Sequence, residues 1–296
     1  MFAVLLPVGP SDRDLARIDD AVDALRAAED PAAVELILID DAPEPRDLAA
    51  LTGWRSCCVI RTPLWTGGGS PDPGDAMIAG TLAGLRLAAR LELDFVLKLD
   101  ADALVIAPFA DAIREAFADP AVGVAGSYDR TCTGGVRDWT CWERPLRRVG
   151  LPLALVPAAS PLRRRLVVRP PAARRAARRL LRQARAHGYV TGAHCLGGAY
   201  AVSPALLARA DLFDPAPWLQ TGLGEDVVVG LLCHAAGLEL RGLVGRGEPF
   251  GLAHVGLPAT PAELLAAGHS IVHAVKHPDA VAEEELRAAF RVARAR

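Results

Sequence analysis

Two aspartates spaced two residues apart, Asp100 and Asp102, close the short apolar run Phe95-Val96-Leu97-Lys98-Leu99. A run of that length reads as a buried strand, and open parallel sheets bind ligands beyond the carboxyl ends of their strands. Residues i and i+2 project to the same side of an extended chain, so both carboxylates would face one cation. Hard oxygen ligands suit Mg²⁺ or Mn²⁺, ions that also bridge to phosphates. A second apolar run, Val34–Ile39, likewise ends in Asp40-Asp41. Further on, Glu225-Asp226 stands immediately before Val227-Val228-Val229-Gly230-Leu231-Leu232. Acids are favoured at helix N-termini for structural reasons alone. The same field keeps a carboxylate ionised, and an ionised carboxylate can take a proton from an attacking hydroxyl. Histidines gather late, at His254, His269, His273 and His277. A helix there would put His269 and His273 on one face, but without the glutamate of an H-E-x-x-H zinc site. A single late histidine is the expected third metal ligand: His273 is preferred, with His254 as its rival, and Lys276 would neutralise phosphate. Gly197-Gly198 either lets backbone approach a ring closely or makes a tight turn or bulge.

The first hundred residues alternate strand and helix. Strands are expected at 2–8, 34–39, 59–60 and 95–99, and helices at 12–28, where Leu15, Ile18, Val22 and Leu25 form one stripe, and at 75–91. Such alternation implies a parallel sheet with right-handed crossovers. A helix at 111–118 and a strand at 122–125 follow, then a helix at 204–210 and one from Glu225 to about Ala236, with Gly237 placed to cap it.

A chain of 296 residues, 51% hydrophobic and of net charge −2, accommodates one large α/β domain or two small ones. It is too apolar for general disorder and lacks the basic excess of a nucleic-acid binder. No signal peptide or membrane-length apolar run is read, so a cytoplasmic location is expected. The six cysteines form no C-x-x-C pair and are expected to be buried free thiols, with a bridge from Cys132 or Cys141 to Cys195 as the alternative. Residues 144–185 hold thirteen arginines and no acid. We read 150–170 as a loop and 172–187 as a basic helix: either a solvated insertion or a surface for an anionic acceptor or a membrane.

Taken in order, Leu6-Pro7-Val8, Leu38-Ile39-Asp40-Asp41, Leu97-Lys98-Leu99-Asp100-Ala101-Asp102, Gly197-Gly198-Ala199-Tyr200-Ala201-Val202-Ser203, Gly224-Glu225-Asp226-Val227-Val228-Val229-Gly230 and His273 resemble nucleotide-sugar glycosyltransferases of the GT-A fold. The second half is similar to fringe and the β-1,3-glycosyltransferases. The resemblance covers 2–145 and 189–276 and implies an α/β fold with a Rossmann-like, mostly parallel sheet. It divides the chain into a donor half, 1–125, and an acceptor half, 126–296, the latter carrying an Arg-rich insertion at about 144–187. It implies inverting transfer, with Mn²⁺ or Mg²⁺, from a nucleotide-diphosphate sugar, UDP-linked by preference, to an acceptor hydroxyl. Pro7, Val8 and Asp40 or Asp41 would hold the nucleotide. Asp102 and His273 would bind the metal, with Asp100 on the metal, its water or the ribose. Gly197, Gly198, Glu225 and Lys276 would line the donor sugar and diphosphate, and Asp226 would be the base. The loop after the second strand, Asp-Asp-Ala-Pro, departs from the commoner Asp-Asp-Gly-Ser. The alternatives are a retaining transferase, another nucleotide-sugar enzyme such as a nucleotidylyltransferase, or a non-catalytic binding module.

Overall fold

A computed structural model describes residues 1–62, 73–151 and 169–294. Among these, seven strands form one mixed sheet: β1 (Phe2–Val8), β2 (Val34–Asp40), β3 (Cys57–Arg61), β4 (Val96–Leu99), β6 (Val122–Gly126), β7 (Ala199–Val202) and β8 (Glu239–Gly242), in the order β3-β2-β1-β4-β7-β6-β8. The pairs β3-β2, β2-β1 and β1-β4 are parallel, β7 runs antiparallel to both β4 and β6, and β6-β8 is parallel. Every residue of β1 is buried, as a strand covered on both faces requires. Alternate residues separate into two cores. Phe2, Val4 and Leu6 pack with Leu36, Leu38 and Leu97 on one face, and Ala3 and Leu5 with Ile37 and Ile39 on the other. The sheet is continuous across residue 125, because β4 of the first half pairs with β7 of the second.

Helix α1 (Asp12–Ala28) follows β1 and starts at a capping box in which Ser11 and Asp14 satisfy each other's backbone N–H groups. Next come α2 (Leu48–Thr52), α3 (Pro73–Ala88) and α4 (Ala110–Ala116). In the Arg-rich stretch, α5 (Glu143–Gly150) and α6 (Pro171–Ala186) are helical, while the loop expected at 150–170 lies largely outside the described residues. Helix α6 buries Ala173, Ala177, Leu180, Leu181 and Ala184 and leaves Arg175, Arg179, Arg182 and Arg185 exposed. The helical part is therefore built into the second core and is not a solvated appendage, because its small residues allow close packing against α8 (Glu225–Ala235). A short helix α7 (Pro204–Leu207) precedes α8.

A second, three-stranded sheet joins β5 (Leu104–Val105), β10 (Ile271–His273) and β9 (Phe250–Leu252). The helix considered for 269–276 does not form: Ile271 and Val272 are β-branched and pair with Val105 and Leu104. Beyond β10, α9 (Pro261–Ala267) having preceded it, α10 (Ala280–Arg294) returns to α1. All six cysteines are free, but only Cys195 and Cys233 are buried; Cys57, Cys58 and Cys132 are half-buried and Cys141 is exposed, since they lie on an edge strand or in surface turns. No described helix is long and apolar enough to cross a membrane.

Candidate active site

The carboxyl ends of β1, β2 and β4 open into a cavity of about 340 Å³, within the usual range for small-molecule sites. Pro7, Ile39, Asp41, Thr62, Gly80, Thr81, Asp100, Asp102 and Lys276 are among its walls. Thr62 and Thr81 are buried there, and their hydroxyls have no hydrogen-bond partner among the described residues. Buried polar groups are rarely left so, and on this wall the two hydroxyls are free to meet the polar edge of a ligand. Val8 is not part of the lining; its carbonyl accepts from Arg46 at 3.0 Å. Asp40 is turned inward and fully engaged. It accepts from Arg46 Nε at 2.8 Å and Nη2 at 2.6 Å, and from the backbone N–H groups of Ala42 and Arg46. Of the two adjacent acids, Asp41 is the one on the cavity wall.

Asp100, Asp102 and His273 converge so that one ligand atom from each lies within 4.8 Å of the others. Strand β10 brings His273 there, and the Val275 N–H donates to the Asp102 carbonyl at 2.8 Å, tying the two segments together. His273 Nδ1 is 2.8 Å from the Ala253 carbonyl, which fixes that nitrogen as the donor and turns Nε2 toward Asp102 Oδ1 at 3.3 Å. A carbonyl that fixes the tautomer in this way is the usual outer support of a metal-ligating histidine. Two carboxylates and an imidazole fit Mn²⁺ or Mg²⁺. Burial raises the Asp102 carboxyl, but the bond to His273 and the charges of His273, Lys276 and Lys98 outweigh it and hold it at about 2. Burial alone would lower His273; Asp102 outweighs that and raises it. His254 is exposed in the loop after β9 and is not in this group.

Lys98 connects this group to α8. It is fully buried, and its Nζ lies 2.5 Å from Asp100 Oδ1, 2.5 Å from the Gly197 carbonyl and 3.0 Å from Glu225 Oε1. Burial opposes its charge, yet the two carboxylates raise its pKa above the ordinary lysine value. Burial pushes Glu225 up, and Lys98 offsets this only in part. Asp226, the next residue, accepts the Gly197 N–H at 3.1 Å on Oδ2 and the Val227 N–H at 2.8 Å on Oδ1. His194 Nε2 stands 3.4 Å from the same Oδ2, while its Nδ1 is 2.7 Å from the Gly192 carbonyl.

The two glycines make room for side chains. A Cβ on Gly197 would sit 3.0 Å from both Asp226 Oδ2 and Glu225 Oε1. One on Gly198 would fall 2.3 Å from the His273 ring, closer than any real contact. Pro7, Asp41, Asp100, Asp102 and Lys276 thus line the cavity, His273 joins the two aspartates, and Lys98 links Asp100 to Glu225 and the Gly197 carbonyl. Sequence reasoning missed Lys98, His194 and Arg46. A lysine inside an apolar strand was the available signal for the first; the other two act only through contacts distant in sequence.

No known family pattern matches the chain, and no curated protein matches it in sequence. Among solved structures, it is similar to galactosyltransferase LgtC in complex with donor and acceptor sugar analogs, at 14% identity and a TM-score of 0.51, over 99% of this chain and 96% of that one. The fold is that of a GT-A glycosyltransferase. Weaker likenesses are to S. aureus TarS in complex with UDP-GlcNAc (14% identity, TM-score 0.43, 99% of this chain and 72% of that one) and to mouse xyloside xylosyltransferase 1 (13%, TM-score 0.45, 92% and 97%). The parallel β3-β2-β1-β4 half carries the cavity, and Gly197 and Gly198 stand immediately before the reversed strand β7.

Proposed function

We propose that this GT-A chain is an inverting, divalent-metal-dependent glycosyltransferase that moves a sugar from a nucleotide diphosphate, UDP by preference, to an acceptor hydroxyl. The observation that carries the reading is the Asp100–Asp102–His273 group, whose two aspartates line a cavity with threonine hydroxyls unpartnered among the described residues, and whose Asp100 is joined through Lys98 to Glu225, the residue before Asp226. Asp41, Thr62 and Thr81 would meet the nucleoside. Asp100, Asp102 and His273 would hold the metal, which supplies charge neutralisation to the departing diphosphate. Lys276 adds a positive charge on the same wall. Asp226 would accept the hydroxyl proton as that oxygen forms its bond to the anomeric carbon and the bond to the diphosphate oxygen breaks. The backbone N–H groups of Gly197 and Val227 hold the Asp226 carboxylate in place for this step.

Thermal stabilisation by nucleotide diphosphates and nucleotide sugars, with and without Mn²⁺, tests the donor site, because a ligand of the native state raises Tm. We expect UDP to give a Mn²⁺-dependent shift that disappears in Asp102→Ala and His273→Ala. No shift for any nucleotide with a folded protein would sink the reading and leave a binding module. Asp226→Asn should keep the shift and lose about 10²–10⁴-fold in kcat. Near-wild-type turnover in that variant, or a product that retains the donor's anomeric configuration, would favour a retaining enzyme. Contact with an anionic membrane surface, should the acceptor be presented there, falls to the exposed Arg175, Arg179, Arg182 and Arg185. Cosedimentation with anionic but not neutral vesicles is the expected result.

A further inference from the structure

Beside Asp226, outside the donor cavity, lies an aromatic patch that the reaction as drawn does not use. Tyr128 and Trp139 stack with centroids 6.2 Å apart at 15°, Trp139 lies 4.6 Å from the His194 ring, and Trp142 meets that ring edge-on at 6.1 Å. His194 is the residue whose Nε2 is 3.4 Å from Asp226 Oδ2. Gly224, which precedes Glu225 and Asp226, lies between Trp142 and the Asp226 carboxylate. A Cβ built on Gly224 would be 3.9 Å from the tip of the Trp142 ring and 2.5 Å from Asp226 Oδ1. Gly192, at φ +91°, lets the chain turn here, with the Trp139 carbonyl and the Trp142 Cβ both within 3 Å of where a side chain would start.

All three aromatics are only half-buried, and their polar atoms are unspent. The indole N–H groups of Trp139 and Trp142 and the Tyr128 hydroxyl have no partner among the described residues. Arg137, half-buried between Ser127 and this loop, gives one bond to Ser127 Oγ at 2.6 Å, pairs with no described carboxylate, and keeps a buried Nε with no acceptor. An unpaired guanidinium at such a depth is costly unless a ligand completes it. Flat apolar faces interleaved with free donors match a molecule whose own surface alternates C–H faces with hydroxyls. A lipid tail would leave those donors unmet.

We propose that Trp139 and Trp142 form an acceptor subsite for a carbohydrate. A pyranose stacks by its C–H face on the indoles, Arg137 and the indole N–H groups reach its hydroxyls, and one hydroxyl is presented to Asp226. The proposal rests on the reading of Asp226 as the base of a sugar transfer. It is tested on the full chain with methyl glycosides of the common hexoses and N-acetylhexosamines as probes. Binding is read by saturation-transfer NMR and tryptophan emission, with and without UDP and Mn²⁺. At least one glycoside should bind, and Trp139→Ala and Trp142→Ala should weaken it by about tenfold or more. Trp139→Phe and Trp142→Phe should stay within about threefold, and the UDP-dependent Tm shift should survive in all four variants. No glycoside bound in either state, or equal binding by folded alanine variants, overturns the subsite. So does a switch of dependence on these tryptophans to prenyl-phosphate vesicles. If glycoside binding follows the tryptophans while UDP and Mn²⁺ give no shift in the wild type, the transfer reading fails and the carbohydrate subsite stands.

Discussion

A lysine buried in the middle of a four-residue strand is tolerable only where carboxylates meet it, and Lys98 meets two. Lys98→Met should therefore cost about 3–5 kcal/mol, since it strands Asp100 and Glu225 without their cation. Urea unfolding at neutral pH reads this directly; wild-type stability in that variant would show that the ion pairs are not formed. At this scale the sequence was unevenly legible. The Asp100-Ala101-Asp102 spacing could be read because period-two geometry is local, and so could Glu225-Asp226 at a helix start. Asp40 and Asp41 could not be told apart, since what separates them is Arg46 folding back onto one of them. His194 could not be found at all, because its meaning comes from Asp226, Gly192 and two tryptophans brought in by the fold.

Helix α6 shows how an element's pattern can be read for its charge and missed for its packing. The arginines in Pro171–Ala186 suggest a solvated face, and four of them are exposed; the alanines between them were the stronger statement. Ala177 and Ala184 are fully buried, and Leu181 nearly so, against the helix that begins with Glu225 and Asp226. Leu181→Ala should cost about 2–5 kcal/mol, whereas Arg179→Gln with Arg182→Gln should change stability by less than about 0.5 kcal/mol. Denaturant midpoints for the two variants separate a packed element from a decorative one. Equal, small effects would mean the helix docks weakly. Strands 2–8 and 34–39 can be read to within a residue of what forms, because both are dominated by apolar residues. The second sheet was not, since β5, β9 and β10 are two or three residues each and depend on pairing across the chain.

Across the whole molecule, the last helix is fastened to the first by a buried acid. Glu283 accepts from Arg17 at 2.7 and 2.9 Å, from Arg13 at 2.7 Å and from the His277 N–H at 3.1 Å. Burial alone would raise its carboxyl, but Arg17, the His277 N–H and the charge of Arg287 hold it down at about 2, against an ordinary value of 4.5. A depressed acid stabilises the fold fully above its unfolded value and loses that contribution as pH falls through its folded one. Stability should thus decline from about pH 4.5 toward pH 2, and Glu283→Gln should flatten that decline while lowering stability at pH 7. An unchanged acid limb in the variant would locate the acid sensitivity elsewhere. Because β10 pairs with β5, and β5 lies next to Asp102, His273 joins the two aspartates only after a strand far downstream of them has been made and has paired. During synthesis, the N-terminal strands can collapse first, with the cavity floor already formed. On the proposed function, a nascent chain would form the walls of the cavity before its third metal ligand is made, and metal affinity would appear only once β10 had docked beside β5.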